Sequence, residues 1–107
     1  MYYDKLEKLF SDSVPEPEVI KGIVFGRTNE TIFVSSDRGA IYQFSLIEKE
    51  KMGDKLKVGT ASIDILYRME GIATDDILIT YQPREGLRII SWNERKINEV
   101  DISMIVL

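Results

Sequence analysis

The 107-residue chain contains no cysteine and no histidine. The missing cysteine excludes a disulfide, a thiolate nucleophile and a zinc-thiolate site within the chain. The missing histidine removes the commonest general base and the commonest transition-metal ligand. No Ser-His-Asp or Cys-His arrangement can therefore form from these residues. Carboxylates, Lys and Tyr remain for acid–base work, so the bar against enzymes is incomplete. Long apolar runs are also lacking. None approaches the roughly 18 residues that suggest a membrane span. The N-terminal "MYYDKLEKLF" is charged where a signal peptide would be apolar. Nor is there an excess of positive charge: 14 Lys and Arg stand against 18 Asp and Glu, giving a net charge of −4 and a pI near 4.8. Phosphate contacts need Lys and Arg, so this balance argues against nucleic acid as a partner. A cytoplasmic protein with no membrane partner is expected. The initial Met favours a complete chain over a piece of a larger one.

What is present is an ordinary globular balance, 44% hydrophobic and 30% charged, with a length that points to a single domain spanning 1–107. Residues 1–13 are expected to hold a helix, since Tyr2, Leu6, Leu9 and Phe10 fall on one face of it. Pro15 and Pro17 make 14–19 an extended linker. The rest is strand-like. "VIKGIVF" (19–25) precedes a hairpin, 31–46, whose turn is Asp37-Arg38-Gly39. "EKEKMGDK" (48–55) is a charged loop. "LKVGTASIDILYRM" (56–69) is either one long strand or a bent pair, with Gly59 as a bulge. "GIATD" (71–75) is short. A second hairpin, 76–92, surrounds "QPREG", and "INEVDISMIVL" (97–107) reads as strand to the last residue.

The two hairpins superimpose. Ile32, Val34 and Ile41 answer to Ile77, Ile79 and Leu87, and Phe44-Ser45-Leu46 to Ile90-Ser91-Trp92. Gly39 answers to Gly86, and Gly22-Ile23 to Gly71-Ile72. The offsets fall between 45 and 49 residues, a period that suits four-stranded blades better than helical solenoids. A first β unit would cover 19–65 and a second 66–107.

In "SSDRGAIYQFSL" a small-residue strand, an Asp/Gly turn and an apolar strand follow one another, matched more loosely from Ile77 to Trp92. This pattern resembles a blade of the WD-repeat β-propellers. Two features of that family are absent: the Gly-His pair, and the closing Trp-Asp, which is Ser45-Leu46 in one unit and Trp92-Asn93 in the other. The resemblance implies an all-β antiparallel fold with two propeller-like four-stranded units after an N-terminal helix. Two blades do not close a propeller. The chain would then close a ring with its own copies or dock on a larger partner. Alternatively, the same strands form a compact antiparallel barrel or sandwich.

Candidates for chemistry are few. "GIVFGRT" (22–28) is close to a phosphate-binding loop, but its intervening residues are strand-like and no helix follows. Asp75-Asp76 is an acidic pair of the kind that can hold Mg²⁺ or Ca²⁺, yet a turn before "ILITY" explains both. Trp92 is expected in the core, its rival role being an exposed platform for a sugar or peptide. Arg38 and Arg84 occupy matching hairpin turns. Together with Tyr3 and Phe10 of the helix they are the candidate partner contacts. No catalytic residue, metal site or cofactor is assigned. The expectation is a non-enzymatic protein-interaction module or assembly subunit, whose partner is another protein chain through self-assembly or a hetero-complex. A carbohydrate-binding oligomeric propeller and a small carboxylate-dependent enzyme are the alternatives.

Overall fold

A computed structural model of the chain describes residues 2–13 and 17–100, with helix side chains from Glu7 to Asp12. Helix α1 (Tyr2–Ser13) leads into nine strands. Strands β1 (Ile20–Phe25), β2 (Thr31–Ser36), β3 (Ala40–Ser45) and β4 (Glu50–Lys51) pair in that order, and β5 (Leu56–Lys57) extends the far side of β3. We call this sheet A. Strands β6 (Asp64–Glu70), β7 (Asp76–Gln82), β8 (Gly86–Ser91) and β9 (Lys96–Glu99) form sheet B in the same sequential order. All pairing is antiparallel. The fold is thus all-β with one short helix. Among the described residues no strand of sheet A pairs with one of sheet B, so no barrel closes. Among them, too, no helix is long and apolar enough to cross a membrane.

Sheet A is covered on both faces, and this explains why β2 and β3 are apolar nearly throughout. One face meets α1: Phe10 is buried with Ile32, Val34, Ala40, Tyr42 and Phe44. The Phe10 ring stands edge-on to Tyr42, centroids 5.1 Å apart, and lies 6.1 Å from Phe44. The other face meets sheet B, where Phe33 and Ile41 pack with Leu78, Ile90 and Trp92. Phe33 and Trp92 meet edge-on at 5.0 Å. The Trp92 indole N–H donates to Gln43 Oε1 at 3.1 Å. Trp92 is therefore a core residue joining the two sheets.

Several expectations change. The stretch 56–69 is not one strand. It divides into β5, a crossing segment over 58–63, and β6. Val58 and Ile63 of the crossing are buried in the inter-sheet core, and its backbone bonds sheet A through Val58 N–H to Gly39 O and Ile63 N–H to Ser36 O. Gly59 is no bulge; a Cβ there would come within 2.9 Å of the Gln82 amide. The bulge in this region lies between Ile65 and Tyr67. Gly39 is held at φ +77°, and a Cβ on it would sit 2.4 Å from the Gly59 carbonyl oxygen, so the crossing needs glycine here. Sheet B opens at Asp64, two residues before the expected second unit. β9 ends at Glu99, and 101–107 of the expected last strand lie outside the described residues.

The repeat is real at the level of pairing: the matches of Ile41 to Leu87 and of Phe44-Ser45 to Ile90-Ser91 hold, while those of Ile32 and Val34 fall one residue out. Ile32 pairs with Phe44 and Val34 with Tyr42, while Leu78 pairs with Ile90 and Thr80 with Arg88. A constant offset of 46 residues carries the first hairpin onto the second. Matching Ile32 to Ile77 is one residue out, and one residue in a strand reverses the face. Gly71-Ile72 does not answer to Gly22-Ile23, for it opens a single 3-10 turn over Ile72–Thr74 between β6 and β7.

Candidate functional site

The face of sheet B turned away from sheet A stands out. Its residues follow from the register. Tyr67 pairs with Ile79, Ile79 with Ile89, Met69 with Ile77, and Tyr81 with Leu87, and directly opposed residues share a face. Tyr67, Met69, Tyr81 and Ile89 are exposed by 60, 44, 42 and 36%, with Ile77, Ile79 and Leu87 half-buried among them. Polar groups rim this patch: Asp64 opposite Tyr81, Lys96 opposite Ser91 and Asn98 opposite Ile89. No charged residue lies among those seven. An apolar centre with a polar rim is the anatomy of a protein–protein contact, and isolated soluble domains rarely leave such a contiguous face open.

The opposite face of the same sheet is buried and partly polar. Arg88 donates to the Val58 carbonyl at 2.7 Å and to Gln82 Oε1 at 3.3 Å, and it pairs with Glu85 at 2.7 Å. The Gln82 amide donates to Ala61 O at 2.9 Å. These bonds fasten the crossing segment between the two hairpin tips.

The acidic pair is occupied in the same way. Asp75 Oδ1 accepts the backbone N–H of Asp76 at 2.8 Å and of Asn93 at 2.7 Å. Asp76 bonds Arg68 at 2.6 Å, with both side chains largely buried. The pair closes the β6–β7 turn and ties it to the end of β8. No group of three or more Asp and Glu that could hold a metal is found among the described residues. A shallow open pocket of about 420 Å³ borders Gln43, Met52, Asp54, Trp92 and Arg95. The Arg95 guanidinium stands over the indole ring at 4.7 Å, so that aromatic face is already covered and Trp92 is no open platform for a sugar.

The expected contact residues have different fates. Phe10 is 2% exposed; it is spent on the chain's own core and, with α1 docked, cannot meet a partner. The physical reason is that a short helix is marginal alone and must bury its apolar face. The side chain of Tyr3 lies outside the described residues. Arg38 and Arg84 are both exposed and are related by the same 46-residue offset, one on each hairpin tip. The crossing runs between those tips, touching Gly39 on one side and Gln82 on the other. Their backbones differ, since Arg84 has φ +73° and Arg38 does not share it. The residues of the open face did not figure among the candidates. Their signal was in "ILITY": an antiparallel strand with one wet face alternates, whereas Ile77 to Tyr81 is apolar on both faces apart from Thr80.

No protein-family model matches this sequence, and comparisons with curated proteins and with solved structures return no match.

Proposed function

We propose that the chain is a non-enzymatic protein-interaction module of the cytoplasm whose contact surface is the open face of sheet B. The observation that carries this reading is the contiguous apolar patch formed by Tyr67, Met69, Ile79, Tyr81 and Ile89 with its polar rim. Burying such a patch is favourable by roughly 25 cal/mol per Å² of apolar surface, before the costs of association. The acidic residues most suggestive of chemistry, Asp75 and Asp76, are engaged in turn and ion-pair bonds, which supports binding over catalysis. Two antiparallel sheets in succession, each built on a four-strand meander and the first carrying β5 as a fifth strand, also suit the resemblance to WD-repeat blades noted in the sequence. Arg38 and Arg84, exposed at the hairpin tips, are secondary contact candidates.

A photo-crosslinking amino acid placed at Tyr81 of the full chain, and at Asn29 as an exposed control, tests this in cells. Discrete protein adducts are expected from Tyr81 and not from Asn29. Equal yields at the two positions would remove the open face from consideration.

A further inference from the structure

The constant offset also reveals how the layers are stacked. On sheet A, Phe33, Ser35, Ile41 and Gln43 line the face that receives sheet B. Their counterparts 46 residues on are Ile79, Tyr81, Leu87 and Ile89, with the pairings preserved: Phe33 with Gln43 becomes Ile79 with Ile89, and Ser35 with Ile41 becomes Tyr81 with Leu87. The open face of sheet B is thus the same kind of face that sheet A uses to carry its neighbour. On the other side of sheet A, Ile32, Val34, Tyr42, Phe44 and Leu46 correspond to Leu78, Thr80, Arg88, Ile90 and Trp92, the side by which sheet B sits on sheet A. The contact inside the chain is therefore head-to-tail. One end of the stack is the open face of sheet B. The other is the helix side of sheet A, and α1 stands where the register would place another sheet.

Resting on the reading of the open face as a contact surface, we infer that its occupant is a second copy of this chain, docked through the helix side of its sheet A, and that α1 is a cap that must leave for the copies to join. The precedent for the contact is the packing of sheet B on sheet A. The two ends also agree in character. Ile32, Val34, Ala40 and Phe44 are buried and apolar under α1, and the open face carries no charge among its seven central residues. Heterologous contacts of this kind propagate unless an end is blocked. A twelve-residue helix is short enough to be a removable block.

The full chain tests this without an unknown partner. Phe10→Glu should undock α1, and Ile79→Glu should spoil the open face. Wild type then offers only its open face, while Phe10→Glu/Ile79→Glu offers only the helix side of sheet A. In sedimentation velocity each should be monomeric alone, and their mixture should give a one-to-one complex of doubled mass. Phe10→Glu alone should form larger species. Circular dichroism checks that the β fold persists; should Phe10→Glu lose it, Leu9→Glu, at a half-buried position, takes its place. A mixture that stays monomeric overturns the inference. So does a wild-type dimer abolished by Ile79→Glu, which would mean that two open faces pair with each other, and so does assembly of Phe10→Glu that Ile79→Glu does not reduce. Crosslinks from Tyr81 in the Phe10→Glu chain to a foreign protein alone would likewise overturn the second copy as occupant while leaving the proposed function standing.

Discussion

Phe33 offers a direct measurement of how firmly the two sheets are joined. Its side chain is fully buried, 0% exposed, and its ring meets Trp92 edge-on at 5.0 Å. Phe33→Ala removes an aromatic ring from the middle of the inter-sheet core and leaves a cavity bounded by Trp92 and Ile41. Substitutions of this type destabilise by about 3–5 kcal/mol, and the lost aromatic pair accounts for about 0.5–1.5 kcal/mol of that. Domains of this size have a total stability of about 5–15 kcal/mol, so the variant should lie near the edge of folding. Trp92 is the chain's only tryptophan, and it sits at the junction, so its fluorescence reports separation of the sheets. Urea titration followed by this emission should show a lowered midpoint with an unchanged slope, since a slope change would signal a different amount of surface exposed. Far-ultraviolet circular dichroism should give a coincident curve, as expected when the two sheets melt together. A loss below about 1 kcal/mol, small beside the core-deletion range, would refute the packing described here. Wild-type fluorescence changing well before the dichroism would refute the cooperative joining of the sheets.

Three further outcomes are expected. Asp75→Ala should cost about 1–3 kcal/mol by orphaning two backbone N–H groups; Asp75→Asn should cost less, because both bonds reach the one oxygen that Asn keeps, and thermal melts with and without added Mg²⁺ should superimpose for all three proteins. Arg68→Met strands a mostly buried Asp76 carboxylate and should destabilise by about 3–5 kcal/mol, whereas Arg68→Met/Asp76→Asn should recover much of the loss; additive effects in the double-mutant cycle would contradict a coupled pair. Gly39→Ala should be far more damaging than Gly86→Ala: both have positive φ, but a Cβ at Gly86 meets nothing within 4 Å while one at Gly39 strikes Gly59. The left-handed conformation alone accounts for about 1–2 kcal/mol at Gly86, and equal midpoints for the two variants would count against the crossing as described.

Local features were the legible ones. The hairpin turns at Asp37-Arg38-Gly39 and within "QPREG", the N-terminal helix itself and the burial of Trp92 all follow from turn chemistry and apolar periodicity. Asp75-Asp76 as a turn was legible for the same reason. What escaped depends on non-local geometry. The sequence leaves 56–69 open as one strand or a bent pair; the pair is found, and what escaped is where it breaks, because the chain passes from one sheet to the other and nothing in "LKVGTASIDILYRM" marks the change. The one-residue error in the repeat arose because Ile32, Ile77 and Leu78 are all apolar, so composition does not tell the two faces of β7 apart; only the pairing with β8 does. The open face was hidden for a related reason. Ile77, Ile79 and Tyr81 look as core-like in sequence as Leu78, and their exposure follows from where sheet A lies.

Every strand except β5, which reaches back past β4 to β3, pairs with a neighbour in sequence, and this has a consequence for the order of events during synthesis. Short turns close quickly, and hairpins form in about 1–10 μs, so sheet A can assemble as soon as it leaves the ribosome. Its inner face, with Phe33 and Ile41, then waits for sheet B, whose Leu78 and Ile90 are encoded 45 and 49 residues later. At about 5–20 residues per second, that wait lasts on the order of a few seconds. Over that interval the nascent chain carries an uncovered apolar surface at its front while α1 already shields its back. Transient engagement by a chaperone, or a change in translation rate across residues 58–75, would therefore bear on the yield of folded protein.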